Sequence, residues 1–137
     1  MGFEQFGIVS FTGVTKAEQF VEFLKNNELR GTVCTQCGAR FFPPRADCSA
    51  CLSDQMEWFP ITGEGTLISH TKATFAPAGF EKDVPYRLGV AEFADGIKVF
   101  GRIDGSLSDE AVKAGMKVKV RTVDLGEERL TYELTAA

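Results

Sequence analysis

The chain has 137 residues, about the size of one ordinary domain, and its 44% hydrophobic content is enough for a single core. A formal charge of −4 gives no general attraction to phosphate polymers and argues against nucleic acid as a partner. No apolar run approaches the roughly 20 residues that span a bilayer, and the N-terminus lacks a basic region followed by an apolar stretch and a cleavage site, so a cytoplasmic protein without a membrane partner is expected.

In chain order, Phe3, Phe6, Ile8 and Phe11 come first, in a stretch with little charge that is too short to form a core and is expected to lie on something else. Thr15-Lys16-Ala17-Glu18 has the form of a capping box, in which the Thr15 hydroxyl and the Glu18 carboxylate each satisfy an unpaired backbone N–H, and it predicts a helix start. Ala17, Phe20, Val21 and Leu24 then recur at the spacing of one apolar helix face until Asn26-Asn27 weakens it. That face can pack on its own chain or dock to another subunit.

From Leu29 to about Phe59 runs the cysteine segment, with Cys34 and Cys37, a ten-residue gap, then Cys48 and Cys51. A reducing compartment disfavours disulfides and leaves thiolates free to take a metal. Each Cys-x2-Cys pair can form a tight knuckle presenting two sulfurs, and zinc accepts four of them tetrahedrally. Gly38, directly after Cys37, suits the turn that brings backbone N–H groups towards the sulfurs. Disulfides, free thiols and an iron–sulfur centre are the alternatives. Four protein ligands leave no open position, so the zinc is expected to be structural and not catalytic. Few aliphatic residues lie between Arg30 and Leu52, and the metal is expected to replace a core there.

From Gly63 the pattern changes to short alternating runs. Strands are predicted over Thr66–Ala73, Arg87–Phe93, Ile97–Ile103, Lys117–Val123 and Arg129–Leu134, with tight turns at Ala94-Asp95-Gly96 and Gly126-Glu127-Glu128. Ser108 can cap a short helix through Val112 that stops at Gly115. Five strands with one short helix between the third and fourth is the order of an OB-type barrel. The fold expected is therefore mainly β: an N-terminal arm and helix over 1–28, a zinc ribbon over 29–62 and a five-stranded barrel over 63–137. The loop from Thr74 to Tyr86 is long for a small barrel and carries Phe75 and Phe80, both expected to be exposed.

Catalytic groups are scarce. The single histidine, His70, falls in a predicted strand without a nucleophile or carboxylate beside it, and reads as a structural or surface residue. The metal occupies every cysteine, and no serine elbow or phosphate-cradling glycine loop is present. The chain does not read as able to run a reaction alone.

The Cys-x2-Cys-Gly segment, the Phe42-Pro43-Pro44-Arg45 stretch, the second Cys pair and Gly63-Glu64-Gly65-Thr66-Leu67 resemble the DUF35 family. Pro85-Tyr86, Gly89-Val90-Ala91-Glu92-Phe93, Phe100-Gly101-Arg102 and Gly115-Met116-Lys117-Val118 continue the likeness through the barrel. Within the family, the overall pattern is most similar to the small subunits of benzoylsuccinyl-CoA thiolases of anaerobic toluene degradation. The resemblance implies a rubredoxin-like zinc ribbon on an OB-fold barrel, and a non-catalytic subunit of an acyltransferase complex paired with a thiolase-fold large subunit, two copies of each. The shared substrate would be a coenzyme A thioester, here benzoylsuccinyl-CoA yielding benzoyl-CoA and succinyl-CoA. If this chain helps to hold CoA, its phosphates need cations and its adenine and pantetheine need apolar surface. Arg40, Phe41, Phe42 and Arg45 between the knuckles offer both, and Lys72, Lys82 and Arg87 around the long loop are further candidates.

Two rival readings stand beside it. A zinc ribbon and an OB barrel can both bind single-stranded nucleic acid, but Arg30, Arg40, Arg45 and Lys72 are balanced by Asp47, Asp54, Glu57 and Glu64, so no cationic track is evident. The other is a pure scaffold of a thiolase, a thiolase-like aldolase or an acyl-CoA hydratase that never meets substrate.

Overall fold

The computed structural model describes residues 15–137, so the aromatic stretch over Phe3–Phe11, expected to lie on something else, is outside the described residues. Helix α1 covers Gln19–Lys25 and buries Phe20, Val21 and Leu24. Burying each of these is worth about 1.5–3 kcal/mol, which is what holds a helix far shorter than the roughly 12 residues needed for stability alone. The capping box does not form. Thr15 Oγ1 accepts from the Ala17 N–H at 3.0 Å, and Glu18, itself helical in φ and ψ, makes no side-chain cap. The chain instead enters through i→i+3 bonds, Glu18 N–H to Thr15 O at 3.2 Å and Phe20 N–H to Ala17 O at 3.1 Å, the first of which uses the Glu18 amide the box would have capped.

Strands β1 (Arg30–Cys34), β2 (Arg40–Phe41) and β3 (Met56–Pro60) form an antiparallel sheet in the order β2-β1-β3. Gly31 lies where β1 passes closest to its neighbours: a Cβ there would overlap the Phe41 carbonyl oxygen and stand 2.9 Å from the Phe59 ring.

A second sheet closes into a barrel from β4 (Gly65–Ala73), β5 (Tyr86–Glu92), β6 (Lys98–Ile103), β7 (Lys117–Gly126) and β8 (Arg129–Ala136), in the order β4-β5-β6-β8-β7. Closure is made by Gly65 opposite Val118, and β6 and β8 pair in parallel through Arg102↔Glu133 and Ile103↔Leu134. Leu67, Ala91, Val99, Ile103, Val118 and Leu134 fill the inside, alternating with outward residues as the strand period requires. Asp95 and Gly96 turn β5 into β6 at φ +64° and +73°. This is the expected five-stranded OB topology.

The expected helix after Ser108 is absent. Ser108 Oγ and O both accept from the Ala111 N–H, at 3.2 and 3.1 Å, but the chain leaves after that single turn. Val112 is buried and Gly115 N–H reaches back to Leu67 O at 2.7 Å, so the barrel claims these residues before a helix can propagate.

Helix, ribbon and barrel share one cluster of buried residues, including Phe20, Leu24, Leu29, Phe59, Ile61, Leu67 and Phe93. Ile61 N–H bonds Leu29 O at 2.8 Å, and Thr122 on β7 donates its hydroxyl to Leu24 O at 2.9 Å and its N–H to Asn27 Oδ1 at 3.2 Å. Among the described residues, no helix is long and apolar enough to cross a membrane.

Candidate metal centre

Both cysteine pairs are wound into the same small ring of backbone hydrogen bonds. Gly38 N–H donates to Cys34 O at 2.8 Å and Cys34 N–H to Ala39 O at 2.8 Å; in the second pair Leu52 N–H donates to Cys48 O at 2.9 Å and Cys48 N–H to Ser53 O at 2.8 Å. The residue after each second cysteine turns the chain through positive φ, +81° at Gly38 and +64° at Leu52. Glycine adopts this freely, whereas leucine pays about 1–2 kcal/mol.

The two rings face each other. Cys34 Sγ lies 3.6 Å from Cys51 Sγ and Cys37 Sγ lies 3.5 Å from Cys48 Sγ, and all four sulfurs fall within 4.8 Å of one another. A tetrahedral zinc with Zn–S bonds of about 2.3 Å has sulfur edges of about 3.8 Å, whereas a disulfide needs about 2.05 Å. The donor set therefore fits one tetrahedral ion. Cys34 and Cys48 are buried, Cys37 and Cys51 exposed.

Electrostatics favour the same conclusion. The backbone N–H of Cys37, helped by that of Gln36 and opposed by burial, pulls the Cys34 thiol down to about 6. The N–H groups of Cys51 and Ala50 likewise lower Cys48, from 3.5 and 3.4 Å. For Cys51 the Ser53 N–H lowers the pKa, but the Cys34 sulfur and burial outweigh it and push the thiol up to about 12. Cys37 is raised too, its Ala39 N–H outweighed by the Cys48 sulfur and burial. Four sulfurs this close can all ionise only around a cation, which then cross-links the two knuckles.

The seven other residues singled out in the sequence separate into two groups. Arg40 lies with its guanidinium 4.8 Å from the Phe59 ring centre and 3.7 Å from the Asp95 carboxylate. Arg45 lies 5.3 Å over Phe41, with its backbone N–H and carbonyl both bonded to Thr32 Oγ1, at 2.8 and 2.9 Å. Phe42 turns away from them, its ring 5.9 Å from both Phe20 and Tyr132, so it packs between elements and is not a free surface.

Lys72 and Arg87 pair across β4 and β5 and both reach Asp109, Lys72 at 3.6 Å; Arg87, whose side chain is 14% exposed, also donates to Leu107 O at 3.2 Å. Its charge is already spent. Lys82 is exposed in the long loop. Arg40 reaches Asp95 beyond the C-terminal end of β5, whereas Lys72 and Arg87 lie at its N-terminal end, and among the described residues no ion pair or hydrogen bond joins the two groups. In the same loop Phe75 is 85% exposed, while Phe80 lies 5.6 Å under the Arg102 guanidinium and is half-buried. His70 is exposed on β4 opposite Gly89.

Sequence reasoning did not find the cleft of about 500 Å³ where α1, the Pro60–Glu64 linker and β7 meet. Leu24, Leu29, Ile61, Phe93 and Val120 supply apolar wall and Glu28, Glu64, Lys119 and Arg121 supply charge of both signs, with no cysteine or histidine among the lining residues. It offers surface without a nucleophile. Nothing in the local pattern marks it, because its walls come from five separated stretches of the chain, at 24–29, 60–64, 93, 119–122 and 137.

Two family models match in tandem, a ChsH2 rubredoxin-like zinc ribbon domain over residues 21–57 and a ChsH2 C-terminal OB-fold domain over residues 58–123. A DUF35 domain-containing scaffold protein of Pyrococcus furiosus is 31% identical over 105 residues, 77% of this chain and 76% of that protein. One from Methanocaldococcus jannaschii is 32% identical over 92 residues, 66% of this chain but 64% of that protein, so the match spans just under two thirds of its length. The benzoylsuccinyl-CoA thiolase subunit BbsA of Thauera aromatica is 27% identical over 78 residues, 57% of this chain and 53% of that subunit. Among solved structures, a chain of an Ltp2-ChsH2(DUF35) aldolase superposes with a TM-score of 0.76 over 92% of this chain and 98% of its own at 20% identity, a likeness of fold.

Proposed function

The chain belongs to the DUF35 family, and from that premise we propose that it is the zinc-bearing, non-catalytic subunit of an acyl-CoA-processing complex, docked on a thiolase-fold partner that carries the nucleophile. One observation carries this reading: all four cysteines of the chain are gathered into a single cluster, which leaves no thiol for attack on a thioester. Cys34, Cys37, Cys48 and Cys51 hold the zinc, and with its coordination filled the ion cross-links the ribbon and activates nothing. The relatives support the partner: one is named as a subunit of a thiolase, and a structural neighbour is titled as an aldolase containing a DUF35 chain. The finer reading, benzoylsuccinyl-CoA as the shared substrate of a two-plus-two assembly in the cytoplasm, rests on the likeness to the thiolase subunit.

In this reading Arg40, Phe41 and Arg45 form the part of the ribbon that meets CoA. Arg45 is exposed and has no carboxylate within ion-pair distance among the described residues, so a phosphate can pair with it without breaking an existing ion pair. Lys82 is a weaker candidate, and Lys72 and Arg87 would first have to leave Asp109. A second reading, a scaffold that never touches substrate, is favoured by the names of the two archaeal relatives. The experiment is to purify the tagged chain from its native host, identify the co-purifying protein, and assay the complex with Arg40 and Arg45 changed to Ala. A CoA-contacting ribbon raises KM severalfold with assembly intact, a pure scaffold leaves KM unchanged, and a chain that purifies without a thiolase-fold partner refutes the proposal.

A further inference from the structure

The ring of Phe42 connects parts of the molecule that the backbone leaves separate. It sits in the connector between the cysteine pairs, yet its neighbours are Phe20 on α1 and Tyr132 on β8, each at 5.9 Å between ring centres, and those two stand 6.2 Å apart edge to face. Among the described residues, ribbon, helix and barrel therefore each contribute one ring to a triad. The connector that carries Phe42 has little to hold it. Its regular structure is the two-residue β2, paired as Thr32↔Phe41 and Val33↔Arg40, together with the Thr32 hydroxyl clamp on Arg45. Within residues 30–52 the buried positions are Gly31, Thr32, Cys34 and Cys48, so the only buried hydrophobic side chains of that stretch are two of the four proposed metal ligands. Helix α1 has seven residues and is held from two sides: β7 bonds its C-terminal end through Thr122, and the ribbon grips it through Trp58, whose ring centre is 5.2 Å from that of Phe23, and through Arg30, 4.5 Å over the same ring.

From this geometry we propose that the triad is a metal-dependent latch: when the cysteine cluster loses its ion, the connector loosens, Phe42 withdraws from Phe20 and Tyr132, and α1 loosens on the barrel, which itself stays folded. The inference rests on the reading of the cluster as a metal site and goes beyond it, because it makes the position of the N-terminal helix depend on metal content. A partner that reads α1 then binds the metal-loaded chain and not the stripped one. The barrel survives because its closure, through β4 with β7 and β6 with β8, uses no ribbon residue.

The test is hydrogen exchange on the full chain, metal-loaded and stripped with a chelator, with zinc measured per chain in each sample. Stripping is expected to speed exchange of the amides over 19–25 and 40–46 together by at least tenfold, while β5 and β6 keep their protection. In loaded protein, Phe42→Ala is expected to release 19–25 and Phe41→Ala to leave it protected. Should Phe42→Ala lose metal, Tyr132→Leu decides: approached from the barrel side, it is expected to release 19–25 with zinc still at one per chain. Protection of 19–25 that survives both stripping and Tyr132→Leu overturns the latch, as does loss of barrel protection in step with the helix. A chain that never binds metal overturns the metal reading itself, which the zinc measurement registers separately.

Discussion

Asp104 lies where the barrel is closed by its one parallel pairing, directly after Ile103, and its own N–H bonds Leu134 O at 2.8 Å. The residue is 5% exposed. One carboxylate oxygen accepts from the Ser106 N–H at 2.9 Å and the Ser106 hydroxyl at 2.8 Å; the other accepts from the Thr135 hydroxyl at 2.7 Å and lies 3.2 Å from Arg121. Asp104→Ala leaves the buried Thr135 hydroxyl without its acceptor and removes the anchor of the Ser106 turn. Hydrogen bonds to a charged group are worth about 1.5–3 kcal/mol each, and the Ser106 groups can turn to water. The contact to Arg121, whose side chain is 48% exposed, adds under about 1 kcal/mol. The expected loss is about 3 kcal/mol, or about 1.5 M in the urea midpoint for a slope near 2 kcal/mol/M.

The same carboxylate sets an acid limit. The Ser106 N–H first, then the Thr135 and Ser106 hydroxyls and Arg121, hold its pKa below the usual range against burial. A lowered folded-state pKa means that its contribution is fully present above the unfolded value of about 3.9 and lost as pH falls through the folded value. Urea unfolding followed by circular dichroism at pH 7 and pH 3 tests both. The advantage of the wild type over Asp104→Ala should narrow at the lower pH. A variant within 0.5 kcal/mol of wild type at pH 7, or a gap that does not narrow with acid, refutes the reasoning.

Tyr132 gives the opposite sign. Burial pushes its phenol up to about 12, so its stabilisation is complete below the unfolded value of about 10 and lost as pH rises towards 12; an absorbance titration should show a phenol that stays neutral at pH 11. Tyr132→Phe keeps the ring but removes the hydroxyl that donates to Phe100 O at 2.8 Å, costing about 1 kcal/mol by thermal unfolding. Gly31→Ala forces a methyl into the Phe41 carbonyl and the Phe59 ring, and is expected to cost about 1–3 kcal/mol and to weaken metal retention against a chelator. Leu52→Gly relieves a left-handed leucine that is 85% exposed, and should slow metal loss, with a gain of about 1 kcal/mol in unfolding experiments.

The parts of the fold written in local pattern were legible. Alternation placed β4 to β8 to within about three residues, and Asp95-Gly96 and Gly126 marked turns because those backbones need positive φ. The cysteine spacing gave the cluster, since two knuckles can face each other however the rest of the chain runs. Where local pattern failed, tertiary packing overrode it. Ser108 has the chemistry of a helix cap and makes one, but Val112 and Gly115 are drawn into the barrel. Thr15 and Glu18 spell a capping box, yet the chain enters α1 through a tighter turn.

The candidate ligand surface was half legible for the same reason. Arg40, Phe41 and Arg45 do share the ribbon, but nothing adjacent to Phe42 in sequence reveals Phe20 and Tyr132, which are 22 positions before it and 90 after. Arg87 could have been paired with an acid in principle, but which acid only the closed barrel decides, and it brings Asp109. Asp104-Gly105-Ser106 did carry a readable turn signal, since an aspartate side chain often bonds the amide two residues on.

An ion held by the sulfur cluster is the premise of the proposed role. Metal analysis of the purified chain, combined with X-ray absorption at the zinc edge, tests this directly. The expected result is one zinc per chain with four sulfur neighbours at about 2.3 Å and no oxygen or nitrogen neighbour. A metal-free chain with four reactive thiols would contradict it, and so would a zinc carrying a bound water, which would return a catalytic role to the ribbon.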